Sequence, residues 1–279
     1  MNRRRLVNTA VAAGATVFSA TVFLLIALLV AKPLYAGASV VLRRGISFFT
    51  EPPAPPGVGE TGGVIYALLG TLLMTLIAVL VSSPLGVLTG IYVSEYPRDP
   101  LARLAEHASQ FLSEVPSVLL GVFVYGAVVV YTKSPSLLAG ALSLSLVVTP
   151  YIVVHTKEIL SSIPFAYREA AFALGLPKWK TVLLVLLPMN LRGIASSLLA
   201  AYFRALGETA PVLFTAGAAF NGFYGLLGPS STLSLLVWTY GQSPFENWQE
   251  LAWGAAFILV AFTLAASIAL RVSVREVRL

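Results

Sequence analysis

Apolar positions in this chain gather into six long stretches, at about residues 11–32, 64–92, 112–131, 136–155, 190–214 and 251–270, and charged positions lie almost wholly between them. Each stretch is close to or above the roughly 20 residues that a helix needs to cross a bilayer core. The pattern predicts an all-α fold, a polytopic membrane helical bundle of six transmembrane helices. The run from Val64 to Ser94 is longer than a bilayer requires, so Pro84 is expected to kink it or its last turns to extend into water. Gly70, Gly86 and Gly90 in that run offer the close approach by which membrane helices pack.

Three other segments modify this picture. Phe223 to Tyr240 is apolar but broken by Gly228-Pro229 and Ser230-Ser231-Thr232. It reads as an outer-surface or re-entrant segment, with Tyr240, Trp248 and Trp253 near the membrane interface. The outer loop from Pro33 to Gly63 carries Pro52-Pro53-Ala54-Pro55-Pro56, which predicts an extended spacer, or alternatively a contact surface for an external partner. The first stretch follows Arg3-Arg4-Arg5 and exceeds the roughly 7–15 residues of a signal-peptide core, so it is read as a retained span.

Charge then gives an orientation. With the N-terminus inside, 13 of the 18 basic residues fall on the cytoplasmic side: Arg3, Arg4, Arg5, Arg98, Arg103, Lys157, Arg168, Lys178, Lys180, Arg192, Arg271, Arg275 and Arg278. Lys32, Arg43, Arg44 and Lys133 fall outside, and Arg204 lies within a span. The asymmetry predicts both termini in the cytoplasm (N-in/C-in). It also accounts for the net charge of +6 as topology, not as a nucleic-acid footprint. Charged residues make up 11% of the chain, against about 25% in soluble domains. With no cysteine, disulfides, thiolate metal sites and cysteine nucleophiles are excluded. His107 and His155 are too isolated to form a metal site, and His155 reads as a membrane-edge side chain.

The loop after the fourth stretch has a helix-stop-helix grammar. Pro164 suits a first helical turn and Gly175 a helix stop, so Ile163–Leu174 is predicted to be one short helix. Phe165, Glu169 and Phe172 share a face of it. Pro177 can start a second helix carrying Lys178, Trp179 and Lys180 and ending near Pro188. Two angled helices with aromatics and both charge signs suit either a docking site or an amphipathic loop on the membrane. Glu169-Ala170-Ala171, three residues, Gly175, nine residues, Val185, one residue, Leu187-Pro188 resembles the EAA motif of ABC importer permeases, with Val in place of Ile. The resemblance implies that Glu169, Ala170, Ala171, Gly175, Val185, Leu187 and Pro188 couple the chain to a cytoplasmic ATPase. The chain has no G-x4-G-K-[ST] phosphate loop of its own.

The fifth stretch contains Arg204 and Glu208, four residues apart on one helix face and close enough to pair. Charges inside a membrane segment are costly enough to be turned toward a cavity or the bundle interior. They form either a packing ion pair or an anion path, in which Arg204 offers a planar fork of donors, Glu208 holds it, and Thr209 adds a hydroxyl. Arg204-Ala-Leu-Gly-Glu-Thr-Ala-Pro-Val-Leu-Phe-Thr-Ala216 resembles the PstA-type permease subunit of phosphate ABC importers. So do Gly62 to Thr71, Ile91 to Tyr96 and Val115 to Gly121.

The resemblance implies a type I ABC importer permease fold, with residues 1–62 forming the first helix and outer loop and 63–272 the permease domain. Within that domain the coupling loop spans 156–189. It implies a multi-pass protein of the cell (plasma or inner) membrane, surrounded by membrane lipid. Implied partners are phosphate, a second permease subunit (PstC-type), two ATP-binding subunits (PstB-type) and an external phosphate-binding protein (PstS-type). No cofactor is expected on this chain, with ATP and Mg used by the partner ATPase, and the subunit itself is expected to be non-catalytic. Other oxyanions (sulfate or molybdate) and the sister phosphate permease remain alternatives. An intramembrane enzyme using Glu208 would predict further buried polar partners such as His or Asp, yet the spans contain no Asp and Glu114 sits at a span edge. A channel would leave the coupling loop unexplained.

Overall fold

The computed structural model describes residues 3–275; Arg278, and the side chains of Arg3, Arg5, Arg271 and Arg275, lie outside the described residues. Among the described residues the only strand-like pairing is an isolated bridge between Pro53 and Gly62, and everything else with regular structure is helical. Ten helices carry the account: α1 (Arg3–Arg44), α2 (Ile65–Glu95), α3 (Pro100–Glu114), α4 (Ser117–Thr132), α5 (Leu137–Ser161), α6 (Phe165–Ala173), α7 (Lys178–Gly207), α8 (Ala210–Thr215), α9 (Leu233–Gly241) and α10 (Glu246–Arg275). Five are long and apolar enough to span a membrane, and the pair α3–α4, bent by 103°, makes a sixth if counted together.

The bundle is organised around α2 and α5. Gly86 and Gly90 let the two backbones meet: a Cβ on Gly86 would lie 2.7 Å from Ile152 Cβ, and one on Gly90 would lie 2.6 Å from Thr156 Cβ. Ser82 Oγ donates across the same interface to the carbonyl of Ser145 at 3.0 Å. This is membrane packing by small residues and short polar bridges. Pro84 sits inside α2, which continues as helix to Glu95.

Four expectations change. The first helix does not stop at Lys32-Pro33 but runs on to Arg44 with Pro33 inside it. The extension is held by α10, where a Cβ on Gly37 would collide with the Trp253 carbonyl at 2.2 Å and Lys32 lies over the Trp253 ring at 5.0 Å. The third stretch is not a straight span from 112 to 131, because Val115 is extended (φ −66°, ψ 127°) before Pro116 and splits it into α3 and α4. A residue before proline is pushed out of the helical region by the proline ring. The fifth stretch is not helical through 214, since α7 ends at Gly207 and Glu208 is extended.

The fourth change concerns the Pro-rich loop, which is packed and not a free spacer. Asn247 Nδ2 donates to the carbonyls of Pro55 (2.9 Å) and Glu60 (3.0 Å), and Trp248 Nε1 donates to that of Ala54 (2.9 Å). Phe223–Tyr240 is indeed no crossing. It is irregular up to Thr232 and then forms the nine-residue α9, whose Tyr240 stacks on Trp248 with ring centroids 4.2 Å apart.

Candidate functional site

Two places gather polar chemistry: the loop around α6 at one end of the bundle, and a cavity between α3, α4, α5 and α7. The loop follows its local signals closely. Pro164 precedes α6 in an extended conformation, and Gly175 follows it at φ +77°, a left-handed backbone that glycine adopts without strain. Nothing lies within 4 Å of where a Cβ on Gly175 would point. Glu169 and Ala170 are exposed, and Phe165 and Phe172 present large apolar faces at 63% and 42% exposure. Uncovered aromatics beside a carboxylate suit contact with a partner protein or with the membrane surface.

Three of the remaining motif residues turn inward, and Pro188 is exposed. Ala171 is buried, and Val185 and Leu187 pack on the cluster of Leu160, Ile163, Val182 and Leu186. They seat the loop on the bundle, while Glu169, Ala170 and Gly175 stay at its surface. The second predicted helix does not terminate near Pro188 but is interrupted there. A π-helical segment, Val182–Leu186, precedes Leu187-Pro188, Asn190 leaves helical geometry (φ −119°, ψ 16°), and the chain then continues to Gly207. Proline removes a backbone donor, and a local π turn with a kink absorbs the defect.

A cavity of about 360 Å³ opens between the two helix breaks. Arg204 and Glu208 line it, together with Glu114, Ser117, Tyr151 and His155. The Arg204 side chain is 50% exposed, so its guanidinium is accessible from the cavity. Its carbon lies 5.8 Å from the Tyr151 ring centroid, within cation–π range. Tyr151 stacks on His155 at 3.9 Å, and His155 Nδ1 is 2.9 Å from the Tyr151 carbonyl. Ser117, the first residue of α4, puts the positive end of that helix at the cavity wall. Where the breaks meet, Gly121 of α4 lies so close to α8 that a Cβ would come within 2.6 Å of Pro211 Cα.

The predicted helical pairing of Arg204 with Glu208 is corrected by the break. Glu208 lies beyond the end of α7, and Arg204 Nη2 and Glu208 Oε1 are 3.9 Å apart, at the outer limit of an ion pair. Thr209 caps α8 and is not among the residues lining the cavity. Sequence reading missed Tyr151 and took His155 for a membrane-edge side chain, although their spacing of four on one stretch was a usable signal. It also missed the buried pair of Glu95 and Arg168, 2.7 Å apart.

Similarity to known proteins bears on the family and the fold. A family model described as "Binding-protein-dependent transport system inner membrane component" matches residues 82–279. The probable phosphate transport system permease protein PstA of Methanocaldococcus jannaschii is 35% identical over 241 residues, covering 86% of this chain and 84% of that protein. The phosphate transport system permease protein PstA of Pasteurella multocida is 34% identical over 218 residues, covering 78% of each. Among solved structures, an inward-facing form of the MetNI methionine ABC transporter superposes with a TM-score of 0.63 at 20% identity, covering 77% of this chain and 96% of that one. The last likeness speaks for the fold.

Proposed function

The chain belongs to the family of binding-protein-dependent transport system inner membrane components, and from that premise we propose that it is a permease subunit of an ATP-driven phosphate importer. The observation that carries the reading is the coexistence of an exposed α6 surface at one end and an Arg204-lined cavity within the bundle. The first receives the push, and the second offers a fixed cation to an oxyanion. Relatives named as phosphate permeases, at about 35% identity over most of the chain, support phosphate as the cargo.

In this reading the chain is a multi-pass subunit of the cell (plasma or inner) membrane and forms one half of the path. A second permease forms the other half, two cytoplasmic ATP-binding subunits supply hydrolysis with ATP and Mg, and an external phosphate-binding protein delivers the anion. The chain itself carries out no bond chemistry. Arg204 attracts and orients phosphate through its planar donors, while Glu114 and Glu208 keep the empty cavity from holding an anion too tightly. ATP-driven movement of α6 must favour one access state over the other, since coupling requires contacts that differ between states. Affinity isolation of the tagged chain from its native membrane tests the assembly. The expected result is one ATP-binding subunit type and a second permease; recovery of the chain alone contradicts it.

A further inference from the structure

Glu95 is the last residue of α2, and its side chain is only 4% exposed beside an Arg168 side chain that is 11% exposed. Charges this far from water persist when they are paired and their remaining hydrogen-bonding capacity is met. Both conditions hold. Arg168 Nη2 donates to Glu95 Oε1 at 2.7 Å, and Nε lies 3.3 Å from the same oxygen. The guanidinium also donates to the carbonyls of Leu160 (2.9 Å) and Ile163 (3.0 Å), at and just past the last turn of α5. From the other flank, Lys178 Nζ donates to the main-chain carbonyl of Glu95, and it lies 3.9 Å from the Tyr96 ring centroid. Glu95 therefore grips both ends of the loop: α6 through its carboxylate, and the start of α7 through its carbonyl.

We propose that Glu95 is the positioning residue of energy coupling, locking α6 to the α2–α5 pair so that a displacement of α6 moves those helices as one body and shifts Tyr151 and His155 in the cavity. The proposal rests on the reading of α6 as the surface that the ATPase moves. Two observations favour this route over α7. The α2–α5 interface is closed by Gly86 and Gly90 against Ile152 and Thr156, which leaves little freedom to slide. On α7, by contrast, the π segment Val182–Leu186 and the non-helical Asn190 lie between the loop and Arg204, and such interruptions bend under load. A fork of nitrogens on a carboxylate fixes orientation as well as distance, so the clamp transmits a pull as well as a push.

Glu95→Gln tests this in the reconstituted complex, because it keeps the size of the side chain and removes its charge. The expected variant assembles with the ATPase and keeps basal hydrolysis, while phosphate transported per ATP falls about tenfold or more, because the carboxylate that orients Arg168 is gone. A second readout is independent of the cargo. Since the chain has no cysteine, spin labels attached at Leu88→Cys and Ala166→Cys before assembly with the partner subunits report the α2–α6 distance alone. That distance is expected to stay single and unchanged between nucleotide-free and ATP-bound complex, and to broaden or shift with Glu95→Gln. Full coupling in Glu95→Gln, loss of ATPase retention, or a distance that remains narrow and unshifted in the variant overturns the proposal. If the unmodified complex moves no phosphate, the functional reading fails separately, and the distance measurement still decides the role of Glu95.

Discussion

Arg204 Nη2 and Glu208 Oε1 stand 3.9 Å apart across the end of a helix, not along it. The separation is too long for a strong fork, and half of the Arg204 side chain remains exposed. An arginine retained for packing alone would be turned away from open space. This one is left with donors free at a cavity, beside Tyr151 and His155.

The first prediction concerns that residue. Arg204→Ala removes the cation and is expected to reduce phosphate uptake about tenfold or more, because charge-assisted donors are the strong ones. Arg204→Lys keeps the charge but loses the planar fork, so its uptake should fall between the two. Initial uptake rates at fixed protein level measure both. Normal uptake by both variants removes Arg204 from the path.

Gly175 gives a contrast of sizes. The space around it in this chain is empty and its φ is +77°. Gly175→Ala should therefore insert and fold at a cost of about 1 kcal/mol of backbone strain. Gly175→Trp should lose the ATPase on purification, because a bulky ring at this exposed turn obstructs a docked partner. Equal ATPase retention by Gly175→Trp and the unmodified chain contradicts the docking role.

Gly70 tests the packing of the re-entrant segment. A Cβ there would lie 1.9 Å from the backbone oxygen of Ser231. Backbone cannot rotate away as a side chain can, so Gly70→Ala should destabilise the protein by about 1–3 kcal/mol, the usual cost of overpacking. Thermal unfolding in detergent reads it, with Gly14→Ala, which meets nothing within 4 Å, as the control.

At the outer end, Trp248→Phe deletes the bond to the Ala54 carbonyl while keeping a smaller aromatic ring beside Tyr240. The net cost should be about 1 kcal/mol. Faster proteolysis within residues 51–62 is the expected sign, with ATP hydrolysis unchanged.

What could be read from sequence was whatever has a local cause. The α6 loop came out nearly intact because Pro164, Gly175 and Pro177 act on their own neighbours. The break at Glu208 had local signals too, in Gly207 and Pro211, but averaging apolar character over a span hides a break of two residues. The break at Val115-Pro116 also had a local signal, the proline, which the same averaging passed over when the span was drawn. The folding of the Pro-rich loop had no local cause at all. It depends on Asn247 and Trp248, about 190 residues away in sequence. Likewise, Glu95 and Arg168 are 73 residues apart, and neither residue type by itself announces a buried pair. The cavity followed only in part: Arg204 and Glu208 were found as misplaced charges, while Tyr151 passed as an ordinary span residue and His155 as a membrane-edge side chain.

The central claim is ATP-driven movement of phosphate through a path that includes this chain. Proteoliposomes holding the purified complex, supplied with ATP, Mg and the binding protein, should accumulate labelled phosphate against its gradient. An excess of unlabelled phosphate should suppress that uptake, and equal sulfate or molybdate should not. Uptake that proceeds without ATP, or that sulfate or molybdate suppresses as well as phosphate does, would contradict the account.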